Sequence, residues 1–153
     1  MRRFELVKNA PSDTRLPDRK TKDSAGYDFY LPCDVVIKPH GFSKIINMNV
    51  KALMNEGDVL KLYIRSSIGL VRHVTLANDT GIIDADYANN PQNDGNIGLV
   101  LQNNSDKWQR FKKGERVMQG VFQRYLRVDN DVCTGERKGG IGSTNGIFDK
   151  EQK

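Results

Sequence analysis

The chain has 153 residues, with 24 Lys and Arg against 19 Asp and Glu, for a net charge of +5. This length suits one domain with its own core, and the positive charge favours an anionic partner such as a nucleotide, a nucleic acid or an acidic surface. Cys33 and Cys133 lie far apart and form no CxxC pair, which argues against a zinc site or a redox dithiol. The sequence has no secretory signal and no membrane span, so we expect a cytoplasmic protein.

Short apolar segments separated by Gly, Pro, Asn and Asp recur along the chain. The predicted strands cover 3–7, 27–31, 33–41, 42–52, 59–64, 73–78, 80–84, 96–103 and 116–128. Many short strands at intervals of about 8 to 12 residues indicate an all-β sandwich or barrel. The best helical candidate is 66–72, in which Ser66 is the predicted N-cap.

The composition changes near the carboxyl end, where residues 134–153 are rich in Gly, Ser and Lys. Such a segment cannot form a core. We therefore predict a β-barrel domain over 1–133 and a flexible, Gly-rich arm over 134–153.

The sequence lacks the common catalytic motifs GxxxxGK[ST], HExxH and GxSxG. Its two histidines, His40 and His73, do not belong to a recognisable triad. The remaining chemistry is that of carboxylates, arginines, backbone amides and a metal ion.

Two early segments combine a strand with charged or hydroxyl side chains. SAGYDFYL places Asp28 inside an aromatic strand, where it is either exposed or a partner of hydrated Mg²⁺, which binds few protein carboxylates directly. YIRSSIGL ends a strand at Arg65 and opens a helical turn with Ser66 and Ser67. These groups can hold phosphate together with the amides of the turn, although an ordinary capped helix has the same residues.

The segment ANDTGIIDADYANN contains turn residues followed by a short strand, which predicts a hairpin. Its backbone and Asn78 could recognise the edge of a flat base, and Tyr87 could pack on a sugar. Asp84 and Asp86 are two residues apart, so on a strand they would share one face. A polar hairpin tip with an edge tyrosine is the simpler alternative.

Two later segments are weaker signals. KKGERVMQG carries Gln119, which can orient a water or a phosphate oxygen or simply belong to the polar face of a strand. ERKGGIGSTNG carries Arg137, Ser143 and Thr144. Its glycines would let backbone amides wrap around an anion, but a flexible linker has the same composition.

In their order and spacing, these five segments resemble the five motifs of the trimeric dUTPase family, of the phage or Gram-positive bacterial type. The matching stretches are AGYD, RSSIG, GIIDADY, GERVMQ and RKGGIGST, which together span 25–144. The resemblance implies a β jelly roll that forms a homotrimer, with motifs one, two and four from one chain, three from a second, and five from the mobile arm of a third. It implies hydrolysis of dUTP to dUMP and pyrophosphate with Mg²⁺, which limits uracil in DNA and supplies dUMP for dTMP synthesis.

The resemblance also implies roles for single residues. The catalytic set would be Asp84, which activates the attacking water, Gln119, which holds that water and the α-phosphate, and Arg65. Asp28 would hold a water of the Mg²⁺ shell, and Tyr87 would pack under the deoxyribose and exclude a 2′-hydroxyl. The phosphate chain would be bound by Arg65, Ser66, Ser67 and the amide of Gly69. The uracil edge would be bound by Asn78, Ile82 and Ile83, and the closing arm would supply Arg137, Gly142, Ser143 and Thr144.

The sequence departs from the family pattern in two notable places. Ile141 stands where an aromatic residue usually stacks on uracil, so the lid here lacks a π face. ANNPQNDG, residues 88–95, replaces the Arg-Gly that usually follows Tyr87. We expect a tolerated polar loop, with a partner-binding surface as the alternative.

Three other functions share some of these features. A dCTP deaminase, or a bifunctional deaminase and dUTPase, would need a proton shuttle that is usually a Glu in motif three, and DADY has none. A nucleotide-sensing jelly roll that binds a regulatory protein partner is the alternative from another class. General nucleic-acid binding predicts a basic stripe with interleaved aromatics, whereas this chain spreads its charge.

Overall fold

The computed structural model describes residues 1–140, which are almost entirely strands and turns. The strands are β1 Arg3–Leu6, β2 Tyr27–Tyr30, β3 Val35–Ile37, β4 Ile46–Asn47, β5 Val50–Leu53, β6 Asp58–Ile64, β7 Val74–Leu76, β8 Gly81–Asp84, β9 Gly98–Leu99, β10 Leu101–Asn103, β11 Gln109–Phe111 and β12 Arg116–Arg124. Two short helical turns complete the elements, a π turn at Ser67–Val71 and a 3-10 turn at Ala85–Tyr87. The predicted all-β class is confirmed.

The central sheet has four antiparallel strands in the order β2-β12-β6-β8. The other strands pair two by two, as β1 with β5, β3 with β11, β4 with β9 and β7 with β10. Each of these pairs joins strands that are not neighbours in sequence. The chain therefore crosses repeatedly between sheets, as it does in a jelly roll.

All five sheets contribute side chains to one buried core. The core includes Phe29, Ile37, Ala52, Leu76 and Leu99, one from each sheet. Buried and more exposed residues alternate along β3, β7, β8 and β10, which is the pattern of strands with one face on a core. No helix within residues 1–140 has the length and apolar character needed to cross a membrane.

Several predicted strands have different bounds in the structure. The strand predicted at 42–52 is divided into β4 and β5, because Asn49 adopts a left-handed backbone with φ 59°. The segment 96–103 likewise forms two short strands. β12 ends at Arg124 rather than at 128, since Arg124 pairs with Asp58, where the partner strand β6 begins. β11 was not predicted at all.

The predicted hairpin around 77–90 is wrong, although a turn is present. β7 pairs with β10, whereas β8 pairs with β6, so the turn between them connects two sheets. The predicted helix is a single π turn, and Ser66 occupies its N-cap position without a side-chain capping bond.

Candidate functional site

A cleft of about 430 Å³ lies beside β8, and we call it the β8 cleft. The predicted site residues in its lining are Asn78, Ile82, Ile83, Asp84, Tyr87 and Arg137. Its apolar wall includes Leu62, Leu76, Leu99 and Met118. The structure therefore brings together the residues predicted for the base and the sugar, with an apolar surface large enough for a flat ring.

Asp84 and Asp86 share one cation in the β8 cleft. Arg137 donates from Nε to Asp86 Oδ1 at 2.7 Å and from Nη2 to Asp84 Oδ2. Burial alone would lower the pKa of Arg137, but the hydrogen bond and charge of Asp86, together with the charge of Asp84, raise it above its ordinary value. One protonated guanidinium thus bridges the two carboxylates and offsets part of their combined negative charge.

This placement of Arg137 differs from the sequence-based expectation in two respects. Arg137 was predicted to reach phosphates in a site of another chain, whereas here it contacts carboxylates of its own chain. Asp86, which is not among the predicted site residues, is also an ion-pair partner. The guanidinium also lies 5.8 Å from the centre of the Tyr87 ring, on a ring face that a sugar could otherwise occupy.

Tyr87 is fixed at its far end by residues that the sequence did not single out. Its side chain is buried, and its hydroxyl donates to the carbonyl of Asn96 at 3.0 Å and accepts from Asn93 Nδ2 at 2.9 Å. Asn93 belongs to the 88–95 segment that departs from the family pattern, and Asn96 directly follows it. Its high content of asparagine was a signal of polar contacts, but sequence alone did not show with which side chain.

A second cleft, of about 360 Å³, lies at β2 and β12, and we call it the Arg65 cleft. Its lining includes Lys20, Asp28, Arg65, Ser66, Arg116 and Gln119. The predicted residue Ser67 lies in an adjoining cleft, together with Arg65 and Arg116. Three cationic side chains and a hydroxyl make this region suitable for phosphate.

Asp28 lies between two guanidinium groups in the Arg65 cleft. Its Oδ1 forms an ion pair with Arg65 Nε at 2.9 Å, and its Oδ2 accepts from Arg116 Nη1 at 2.8 Å. Arg65 Nη1 also donates to the carbonyl of Arg116 at 3.1 Å. The sequence places Arg116 on the predicted strand of the fourth motif, but sequence reasoning assigned it no role in the site.

The residues of the Arg65 cleft do not fit the predicted Mg²⁺ contact. Each oxygen of Asp28 already faces a cation, and only 8% of the residue is exposed. Within residues 1–140, no three His, Cys, Asp or Glu side chains cluster so as to hold a metal ion. The structure thus gives Asp28 a different environment from the one predicted, that of an arginine partner.

The amide of Gly69, predicted to bind phosphate, is also used internally. It donates to the carbonyl of Arg65 at 3.0 Å, and the amide of Ile68 donates to the same carbonyl at 2.9 Å. Both bonds share an acceptor that precedes the π turn. The side chains of Arg65 and the two serines, rather than the Gly69 amide, face the open clefts.

Gln119 and Asp84 are far apart within one chain. Gln119 pairs with Tyr63 on one side of β6, and Asp84 pairs with Val59 on the other side, four residues earlier. At ~3.3 Å per residue and ~4.8 Å per strand spacing, this register separates the two Cα atoms by about 16 Å. The Gln119 side chain moreover points towards Gly26, where a Cβ would overlap its Oε1. The register places both side chains on the same face of the sheet, but the distance between them prevents contact within one chain.

The part of the arm that the structure describes lies on the β8 cleft. Gly140 donates its amide to Gln92 Oε1 at 2.6 Å and, like Arg137, lines the cleft. The predicted arm residues Gly142, Ser143 and Thr144 lie outside the described residues, as does Ile141.

Comparisons with known proteins point to one family. The dUTPase family model matches residues 12–145. The deoxyuridine 5′-triphosphate nucleotidohydrolase of Lactococcus lactis is 42% identical over 147 residues, 94% of this chain and 97% of that protein. The one from Helicobacter pylori strain J99 is 31% identical over 134 residues, 84% of this chain and 88% of that protein.

Solved structures agree with the sequence comparisons. The crystal structure of dUTPase from Streptococcus mutans has a TM-score of 0.75 and 38% identity, and covers 82% of this chain and 98% of that one. The dUTPase of Staphylococcus bacteriophage 80alpha has the same fold, with a TM-score of 0.70 at 23% identity over 90% of this chain and 98% of that one.

Proposed function

The chain belongs to the dUTPase family, and we propose that it hydrolyses dUTP to dUMP and pyrophosphate. The observation that carries this proposal is the β8 cleft, where a carboxylate, a polar turn and a tyrosine surround an apolar wall. The reaction limits uracil in DNA and supplies dUMP for dTMP synthesis, which supports a cytoplasmic location.

The β8 cleft would bind the nucleoside. The Asn78 turn and the backbone at Ile82 and Ile83 offer hydrogen-bonding groups to the edge of uracil, and Tyr87 supplies a flat surface for deoxyribose. The apolar wall excludes water from the base and so strengthens the polar contacts at its edge. Base recognition then depends on few polar groups, as in most small-molecule sites.

The Arg65 cleft would bind the triphosphate. Lys20, Arg65 and Arg116 supply positive charge, and Ser66 and Ser67 supply hydroxyl donors. Phosphoryl transfer depends mainly on neutralising charge and holding the reacting groups in line. Asp28 would act as a positioning residue that holds both arginines in place. Mg²⁺, which this family uses, would be bound by the triphosphate itself and neutralise part of its charge.

The chemistry is an attack of water on the α-phosphorus. Asp84 would accept a proton from the water while Gln119 and Arg65 hold the α-phosphate. A new bond forms between the water oxygen and phosphorus, the bond to the bridging oxygen breaks, and pyrophosphate leaves. One well-placed general base typically contributes ~10²–10⁴-fold to the rate.

This chemistry requires more than one chain. The separation of about 16 Å between the Cα atoms of Asp84 and Gln119 prevents both residues of one chain from holding the same water. A homotrimer, the assembly expected for this family, would supply the β8 cleft of one copy to the Arg65 cleft of another. On binding dUTP, Arg137 would leave the two carboxylates and move to the phosphates, and Gly142, Ser143 and Thr144 would close with it.

A nucleotide panel tests the proposed function. The full chain is assayed with dUTP, dCTP, dTTP and UTP in the presence of Mg²⁺, and both pyrophosphate and ammonia are measured. We expect pyrophosphate from dUTP, little from the other nucleotides, and no ammonia from dCTP. Ammonia release from dCTP at a rate similar to dUTP turnover would overturn the proposal.

A further inference from the structure

Both hydrogen-bonding positions of the Tyr87 hydroxyl are used by the segment 88–96, which we call the asparagine loop. The hydroxyl donates to the carbonyl of Asn96 and accepts from Asn93 Nδ2, at 3.0 and 2.9 Å. The hydroxyl lies on the long axis of the tyrosine ring, so anchoring it fixes the direction of that axis and prevents the ring from tilting as a whole. The position of the ring in the β8 cleft is thus set from outside the cleft.

The orientation of the Asn93 amide is itself determined by its neighbours. Asn93 Oδ1 accepts from Asn90 Nδ2 at 2.7 Å and from the amide of Gly95 at 3.0 Å. Because both neighbours are donors, the oxygen must face them and the NH₂ group must face Tyr87. Asn90 is buried, and its Nδ2 also donates to the Tyr87 carbonyl at 2.8 Å.

The asparagine loop is anchored to the barrel by a buried cation. Lys51, on β5, is only 7% exposed and donates to Asp94 Oδ1 at 3.0 Å and to Asn89 Oδ1 at 2.6 Å. Asp94 Oδ2 also accepts the amide of Lys8 at 2.7 Å. The loop is therefore held at both ends by contacts that do not involve the side chain of Asn93.

We propose that Asn93 is a positioning residue that holds the Tyr87 ring and thereby sets the preference for deoxyribose over ribose. The inference rests on the proposed function, in which Tyr87 lies under the sugar. A ring held at van der Waals distance leaves no space for a 2′-hydroxyl, whereas a ring that can tilt admits it. The loop that replaces Arg-Gly is accordingly part of the specificity of the site.

The test measures sugar discrimination rather than activity alone. Dissociation constants of non-hydrolysable dUTP and UTP analogues are compared by calorimetry for the full chain and for Asn93→Ala. We expect the ratio of the two constants to move towards unity by about 2- to 10-fold, the factor that corresponds to one net hydrogen bond. Tyr87→Phe, which removes the hydroxyl and keeps the ring, should give a similar change.

Two controls separate positioning from stability. In the Tyr87→Phe background, Asn93→Ala should cause no further change, since both act through the same hydroxyl. Asp94→Asn alters the same loop, and asparagine suits the left-handed backbone there, φ 58°. The substitution removes the charged partner of Lys51, so it should lower the Tm and leave the ratio of the two dissociation constants unchanged.

Each outcome decides the inference. An unchanged ratio in Asn93→Ala, or additive effects in the double variant, would overturn it even if the chain hydrolyses dUTP. A changed ratio in Asp94→Asn would also overturn it, because loop stability rather than the Asn93 amide would then set the preference. A wild-type chain that binds the dUTP analogue but releases no pyrophosphate would overturn the proposed function alone.

Discussion

The substitution Asp28→Asn distinguishes an arginine-positioning carboxylate from a magnesium-binding one. Asparagine retains the shape of Asp28, but it has one acceptor oxygen in place of two and no charge. One guanidinium then faces an NH₂ group, and the other retains only a neutral acceptor. We expect Arg65 and Arg116 to lose their fixed positions in the Arg65 cleft.

The size of the effect follows from the exposure of the partners. A hydrogen bond to a charged group contributes about 1.5–3 kcal/mol when it is well shielded. The side chains of Arg65 and Arg116 are 27% and 34% exposed, so water replaces part of the lost contact. We therefore expect a loss of about 1–2 kcal/mol, which corresponds to a decrease in kcat/KM of about 5- to 30-fold.

The assay measures kcat and KM for dUTP at a series of Mg²⁺ concentrations. If Asp28 positions the arginines, KM rises and the Mg²⁺ concentration at half-maximal activity stays unchanged. Asp34→Asn is the matched control, because Asp34 pairs with Lys112 at 2.7 Å in an exposed position and its loss should leave kcat/KM unchanged. A tenfold shift in the Mg²⁺ requirement, with an unchanged KM at saturating Mg²⁺, would refute this reasoning.

Three further predictions concern the β8 cleft and the asparagine loop. Asp84→Asn should reduce turnover by about 10²- to 10⁴-fold while a non-hydrolysable dUTP analogue still binds, and unchanged turnover would exclude Asp84 as the base. Gly140→Ala would place a Cβ 2.9 Å from Asn93 Nδ2, so limited proteolysis should cut the arm faster than in the control Gly135→Ala, where a Cβ meets nothing within 4 Å. The backbone hydrogen bond from Lys8, with a smaller contribution from Lys51, lowers the pKa of Asp94 despite its burial. A carboxyl group with a lowered pKa stabilises the fold at pH values above its ordinary pKa near 3.9, and this stabilisation is lost below its pKa in the folded state. The difference in urea midpoint between wild type and Asp94→Asn should therefore be constant near neutral pH and shrink below about pH 4. A difference that does not depend on pH would contradict this prediction.

Local sequence signals predicted the features that depend on residues close together in the sequence. Apolar segments separated by turn residues identified most strands, because alternation and turn chemistry act within a few residues. Asn78, Asp84 and Tyr87 are close in sequence, and they indeed line one cleft. The exact extent of β12 was not predictable, since it depends on where β6 begins.

Long-range pairings account for most of what the sequence did not reveal. The contact between Asp28 and Arg116 joins residues 88 positions apart and depends on the register of β2 against β12. The Gly69 amide appeared free because helix N-termini commonly expose amides, but it donates to the carbonyl of Arg65. The contacts of Asn93 depend on the conformation of a whole loop, which composition alone cannot specify.

Mixing two inactive variants tests whether the site is shared between chains. Arg65 directly follows β6 and comes six residues after Val59, which pairs with Asp84. At ~3.3 Å per residue, Arg65 and Asp84 are therefore about 20 Å apart along the strand direction. Homo-oligomers of Asp84→Asn and of Arg65→Ala should each have little activity, because every site lacks one group.

Co-refolding the two variants in equal amounts should restore activity. A site is complete when its Arg65 comes from an Asp84→Asn chain and its Asp84 from an Arg65→Ala chain, each with a probability of about one half, so about a quarter of wild-type activity should return. The control is to mix the two proteins without unfolding, which should restore little activity if subunits exchange slowly. If co-refolded mixtures showed no more activity than the separate variants, each chain would have to build its own site. A conformational change within one chain would then be needed to bring the two clefts together.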